Sequence, residues 1–158
     1  MTSIADAATE FLAHDRIAVA GVSRNATGHG GNVIYVRLRD RGYTVFPVNP
    51  NAETVEGDRC YPDLASIPGG VDGVVIATRP AAAASIVAEC AKLGITRVWM
   101  HRSFGGGSVS DDAVALAKQH GMTVIPGGCP LMFGKTSDGG HRFMCWFGKL
   151  TGSVPRTV

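Results

Sequence analysis

The chain has 158 residues, 45% of them hydrophobic, which suits one domain with a single core, and a formal charge of only +2 with 18% charged residues excludes the basic field of a sequence-independent nucleic-acid binder. No apolar run reaches the roughly 20 residues of a membrane helix, and the N-terminus (MTSIADAATEF) is acidic and amphipathic, unlike a secretory leader. With four cysteines (Cys60, Cys90, Cys129, Cys145) and no C-x-x-C pair, these features predict a cytoplasmic protein with reduced thiols and without nucleic acid or membrane as partner.

Ser3 and Asp6 form a capping-box pattern ahead of Ile4, Ala8, Phe11 and Leu12 on one helical face, so the chain opens with a short amphipathic helix. Arg16 to Ala20 reads as a strand. A glycine-rich loop from Gly21 to Gly31 leads into a helix ending near Arg41, with Ile34, Tyr35 and Leu38 inward and Arg37, Arg39 and Arg41 outward. Tyr43 to Val48 is the second strand, closed by the turn Asn49-Pro50-Asn51. A looser segment punctuated by Pro62 and Pro68 precedes a third strand at Val71 to Ala77. Pro80 takes the first position of a helix whose Ala83, Ile86, Val87 and Cys90 recur at helical spacing before Gly94. Thr96 to His101 is the fourth strand. Ser110 caps a helix begun by Asp111 and Asp112, and Met122 to Ile125 is the fifth strand.

This alternation predicts an α/β, Rossmann-like three-layer domain with a five-stranded, mostly parallel sheet, covering residues 1–158 with a core at about 14–126. The segment 127–158 is Gly-rich but carries Met132, Phe133, Phe143, Met144, Trp146, Phe147 and Leu150, so it packs on the core, lids a pocket or joins a second subunit as a homodimer contact.

In such a sheet, ligands bind beyond the carboxyl ends of the strands, which directs attention to the loops at 21–31, 49–55, 78–80, 102–110 and 127 onward. Gly21, Gly28, Gly30 and Gly31 permit tight turning and close backbone approach, and the helix that follows offers free N–H groups to a phosphate. Ser23 adds a hydroxyl and Arg24 a fixed cation. The loop reads GVSRNA rather than G-x-G-x-x-G, and Pro47-Val48-Asn49-Pro50 stands where a nicotinamide site places an acid for the ribose diol, so an NAD(P)-binding oxidoreductase is a weaker alternative.

The motifs IAVAGVS, VFPVNPN, VEGDRCYPDL and VDGVVIAT occur in this order and spacing. Over about Arg16 to Pro130 the chain resembles the stand-alone CoA-binding domain family, which is related to the N-terminal domain of the succinyl-CoA synthetase α subunit. The resemblance implies non-catalytic binding of coenzyme A or an acyl-CoA. It implies that Gly21, Val22, Ser23, Arg24, Asn25 and Gly30 contact the pyrophosphate and neighbouring groups, that Val48, Asn49 and Pro50 line the nucleotide side, and that Thr78, Arg79, Pro80 and Met100 border the pantetheine path. The chain departs from the family at Arg79, where a smaller residue is more usual, and at Gly128-Cys129 and Phe133, where the family has an Arg-Cys pair and a later Glu.

Gly134-Lys135-Thr136 does not complete a phosphate-binding P-loop, because five residues separate Gly128 from Gly134 where four are required. Cys129, His141 and Cys145 lack the fourth ligand and the close cysteine pair of structural zinc. A second alternative remains: Cys129, served by His101 or His141, acting as the nucleophile of an acyl-CoA or thiol-exchange enzyme.

Overall fold

A computed structural model describes residues 2–102, 107–134, 137, 139–152 and 154–158. Helix α1 (Ile4–Leu12) starts as its capping box requires, the Ser3 hydroxyl accepting from the Asp6 N–H at 3.1 Å and donating to the Asp6 carboxylate at 2.6 Å. Strand β1 (Arg16–Ala20), helix α2 (Gly30–Asp40) and strand β2 (Thr44–Val48) follow. A small hairpin, β3 (Thr54–Val55) and β4 (Asp58–Arg59), precedes β5 (Gly73–Ile76) and α3 (Pro80–Leu93). The chain continues through β6 (Arg97–Met100), α4 (Asp111–Gln119) and β7 (Thr123–Pro126), then a 3-10 turn at Pro130–Met132 and α5 (Gly139–Thr151).

The main sheet has the order β2-β1-β5-β6-β7, and every adjacent pair is parallel. The chain moves outward from β1 to β2 and then returns past β1 to β5, so the strand order reverses between β1 and β5, where doubly wound sheets bind ligands. Pro47 is tolerated in β2 because β2 is the edge strand. Beyond that edge the chain doubles back, and Tyr61 donates its N–H to the Pro47 carbonyl at 2.9 Å.

Side-chain alternation builds the three layers. Ile17, Val19, Val75, Trp99 and Ile125 pack with α1, α2 and the C-terminal segment on one face. Ala18, Ala20, Val74, Ile76, Val98, Met100 and Val124 pack with α3 and α4 on the other. The C-terminal segment thus lies on the core of its own chain, contributing Cys129, Leu131, Met132, Phe133, Cys145 and Val154. Trp99 sits between Phe11 and Phe133, with ring centroids 5.4 and 5.5 Å away, and its indole N–H donates to the Gly127 carbonyl at 3.0 Å. The opposite face of α5 points outward, leaving Phe143, Trp146, Phe147 and Leu150 exposed.

Two details differ from the sequence expectation. The segment after Pro50 contains the β3–β4 hairpin, whose two-residue strands are too short to show a period-2 pattern. Its turn residues Glu56 and Gly57 both have positive φ, 52° and 81°, as a type I′ turn requires. Arg39, expected to face solvent, reaches from α2 to this hairpin and pairs with Asp58 at 2.6 Å. The residues 103–106, part of the loop after the fourth strand, and Lys135 and Thr136 of the P-loop-like motif lie outside the described residues.

Candidate functional site

The ends of three strands meet at Gly21. Its φ is 98°, its N–H donates to the Val48 carbonyl at 3.2 Å, and a Cβ there would stand 2.5 Å from the Ala77 carbonyl oxygen. Only glycine lets the chain leave β1 by this route. At the second residue of α2, a Cβ on Gly31 would lie 2.8 Å from the Gly21 carbonyl, so the helix amino end is drawn close over the loop.

Hydrogen bonds from flanking elements then fix the loop. Asn49 donates its amide to the Val22 carbonyl at 2.7 Å, while its own amide oxygen accepts from Asn51 N–H at 2.8 Å. The Asn32 side chain brackets Ser23, accepting from its N–H at 2.7 Å and donating to its carbonyl at 2.9 Å. The Ser23 hydroxyl accepts from Asn25 N–H at 3.1 Å. Helix α2 begins after His29, which forms no side-chain cap, so the first-turn N–H groups of the helix stay available at the rim with its positive dipole end.

Around this loop lies a cavity of about 600 Å³. Its walls are Gly21, Val22 and Ser23 from the first loop, Val48, Asn49 and Pro50 from the second, and Thr78 and Arg79 from the third, so eight of the expected residues converge. Arg79 precedes α3 at the rim. Two carboxylates, Asp63 and Glu89, line the same space, and both are held by backbone: Asp63 accepts from Ser66 N–H at 2.8 Å, and Glu89 accepts from Leu64 and Ala65 N–H at 2.9 and 3.2 Å. Arg79 and Glu89 are ten residues apart, about 15 Å along α3, which separates cationic from anionic ends.

The remaining expected residues sit elsewhere. Arg24 and Asn25 are exposed on the loop, outside the cavity walls, and Pro80, the first residue of α3, is also outside them. Met100 needs correction: it is fully buried in the core facing α3 and α4 and does not reach the cavity. Strand β6 ends at Met100, so its rim position is His101.

His101 lines a separate small cavity of about 140 Å³ with Gly30, Cys129, Leu131, His141 and Met144. The structure therefore places Cys129 and both of its candidate histidine partners around one space. Burial pushes the His101 pKa down to about 4, so its imidazole is neutral at pH 7. Among the described residues, no group of three His, Cys, Asp or Glu side chains is arranged to hold a metal ion, and no helix is long and apolar enough to cross a membrane. None of the four cysteines is in a disulfide and all are buried, and burial raises the Cys90 thiol to about 12, in keeping with its place on the packed face of α3. A further depression of about 470 Å³, between Leu12, Asp15, Arg41 and Tyr43, lies at the opposite ends of the strands and carries no glycine-rich loop.

Sequence reasoning passed over Asn32, Glu56 and Glu89. Asn32 carries a local signal, a polar amide at the third helical position, from which side chains reach back toward the preceding loop. Glu56 and Glu89 carry none, because their contacts cross 24 or more residues.

The profile of the CoA binding domain matches residues 15–135. The chain belongs to the CoA binding domain family. Among curated members, acetate–CoA ligase [ADP-forming] II of Archaeoglobus fulgidus is 32% identical over 117 residues, 69% of this chain and 17% of the ligase. The chain thus spans about a sixth of that relative. YneT of Bacillus subtilis is nearer in size, 27% identical over 70% of this chain and 78% of its own. In three dimensions, a hypothetical protein of Pyrococcus horikoshii OT3 superposes with a TM-score of 0.68 at 28% identity, covering 75% of this chain and 81% of its own. Acetyl-coenzyme A synthetase 1 of Ca. Korarchaeum cryptofilum gives a TM-score of 0.59 at 27% identity, over 73% of this chain and 26% of the synthetase. The CoA binding domain profile ends at residue 135, before α5 begins at Gly139.

Proposed function

We propose that the chain is a non-catalytic binding module for coenzyme A or an acyl-CoA, acting in sensing, storage or regulation in the cytoplasm. The observation that carries this reading is the cavity at the β1/β5 switch point, walled by the three loops and opening beside the uncapped amino end of α2. In this reading the ligand's pyrophosphate lies against the N–H groups of that helix, with the Ser23 hydroxyl and Arg24 beside it. The nucleotide side rests on Val48 and Pro50, and the pantetheine arm leaves past Thr78 and Arg79. Gly30 contributes its N–H and the lack of a side chain at the helix start.

The donor set fits the group. Phosphates take N–H donors and guanidinium cations, and the apolar walls suit the adenine face and the pantetheine chain. An NAD-type site fits less well, because Asn49 occupies the position after β2 and both ends of its amide are engaged within the protein. The enzyme alternative draws on the shared cavity of Cys129, His101 and His141, but a neutral His101 with a pKa near 4 is a weak base at pH 7.

Calorimetric titration with CoA, acetyl-CoA, dephospho-CoA, NAD and NADP tests the reading. The expected result is binding of CoA and acetyl-CoA with little heat from NAD, and unchanged acetyl-CoA after prolonged incubation. NAD binding in the absence of CoA binding overturns it. Loss of the acetyl group that disappears in Cys129→Ser replaces it with the enzyme reading.

A further inference from the structure

We infer that Asn32 is the positioning residue of the ligand loop, and that the β3–β4 hairpin holds Asn32 in place through Glu56. The inference rests on the reading above, in which the loop after β1 receives the ligand's phosphates.

Asn32 is 2% exposed, and three of the hydrogen bonds its amide can form are made. Its oxygen takes the Ser23 N–H, one amide proton goes to the Ser23 carbonyl, and the other goes to the Glu56 carboxylate at 2.9 Å. A flipped amide would oppose donor to donor and acceptor to acceptor at Ser23, so only one orientation is satisfied. Glu56, an acceptor from outside the loop, stops the side chain from rotating out of that orientation. Because Ser23 is gripped on both sides of its α-carbon, the loop is shaped before a ligand arrives, and the ordering cost of binding is lowered.

The hairpin is placed for this purpose at a visible conformational cost. Glu56 has φ of 52°, and among the described residues it is the one non-glycine with positive φ. Glycine or asparagine is the usual occupant of such a turn position, and a strained residue held by its surroundings points to a role for its side chain. The hairpin is tied down on α2 by a separate set of contacts. Asp58 accepts from the Tyr35 hydroxyl and from Arg39, and Arg39 also donates to the Glu56 carbonyl at 3.2 Å. The hydrogen bond from Tyr35, followed by that from Arg39, holds the Asp58 carboxyl below the ordinary carboxylate range. Helix, hairpin and loop therefore form one block, in which residues remote from the cavity set its shape.

The test compares wild type with Glu56→Gly, Asn32→Asp and the double variant Asn32→Asp/Glu56→Gln, by calorimetric titration with CoA and with ADP and by thermal unfolding. Glu56→Gly releases the positive-φ strain, so its unfolding temperature is expected to equal or exceed that of wild type while affinity falls about 3- to 10-fold, the worth of one hydrogen bond. A residue that merely stabilised the fold would move both in the same direction. Asn32→Asp sets two carboxylates in contact and is expected to lose more. The double variant, which restores a donor facing the carboxylate, is expected to recover part of that loss. Losses with ADP should match those with CoA, because the loop serves the pyrophosphate common to both. Wild-type affinity in Glu56→Gly, or a double variant no better than Asn32→Asp, overturns the inference while leaving the binding reading intact. A wild type that binds neither CoA nor ADP overturns both.

Discussion

Gly21 stands where three strand ends crowd one backbone atom, and its replacement gives the sharpest single-residue consequence in the fold. Gly21→Ala combines a Cβ 2.5 Å from a carbonyl oxygen with φ of 98°, and neither the backbone of β5 nor that of the loop can retreat without breaking sheet hydrogen bonds. The variant is expected to lose on the order of 2–4 kcal/mol in chemical denaturation and to lose ligand binding with it. Gly28 is the internal control. Its φ is also positive, at 78°, but a Cβ there meets nothing within 4 Å, so Gly28→Ala is expected to cost only about 1 kcal/mol. Both glycines look alike in the sequence. Their difference comes from the return of β5 beside β1, which brings residue 77 to residue 21. The same limit explains Met100. Trp99 and Met100 are adjacent apolar residues at the end of a strand, both fully buried on opposite faces of the sheet, and the sequence does not mark which residue is the first to clear it.

At the scale of elements, the five sheet strands and the helices between them were legible because each carries a long apolar period or a capping signal. The β1 range and the Pro80 and Ser110 helix starts coincide with expectation. The hairpin was not legible, since its strands are two residues long and its function in the loop depends on contacts 24 residues away. The C-terminal segment was legible only as something that must pack, and it does so with one face of α5. Helix α5 therefore gives two opposite expectations. Truncating Cys145, which is buried, to Gly is expected to destabilise the protein by about 1–2 kcal/mol. Trp146→Gln, on the outward face at 59% exposure, is expected to shift stability by less than about 0.5 kcal/mol in the same unfolding measurement. Sedimentation of wild type and Trp146→Gln at several concentrations also tests the homodimer contact expected of this segment. If α5 carries that contact, wild type forms a faster-sedimenting species that Trp146→Gln lacks.

For the whole molecule, the half-buried imidazole of His101 links stability to pH. Desolvation lowers its pKa from the ordinary 6.5 to about 4, and among the described residues the small cavity it shares is lined by Gly30, Val33, Ile34, Cys129, Leu131, His141 and Met144, none of them a carboxylate. Between pH 4 and 6.5 the unfolded chain therefore takes up a proton at this position that the folded chain does not. Stability rises with pH wherever the unfolded state binds more protons, so this group favours folding fully above pH 6.5 and progressively less as the pH falls toward 4. That lowering corresponds to a change on the order of 2–3 kcal/mol across that window. Asp58 acts at lower pH with the same sign. Its folded pKa lies below the unfolded 3.8, so its stabilisation is present above that value and is lost as the pH falls through the folded value. The two contributions separate by substitution. His101→Gln is expected to flatten the slope of unfolding free energy between pH 6.5 and 4.5 and to leave the acid limb below it, whereas Asp58→Asn is expected to do the reverse. Urea unfolding at half-unit pH steps measures both, and the His101 ring proton resonances, which should hold their neutral positions down to about pH 5, assign the upper limb to this residue independently of stability.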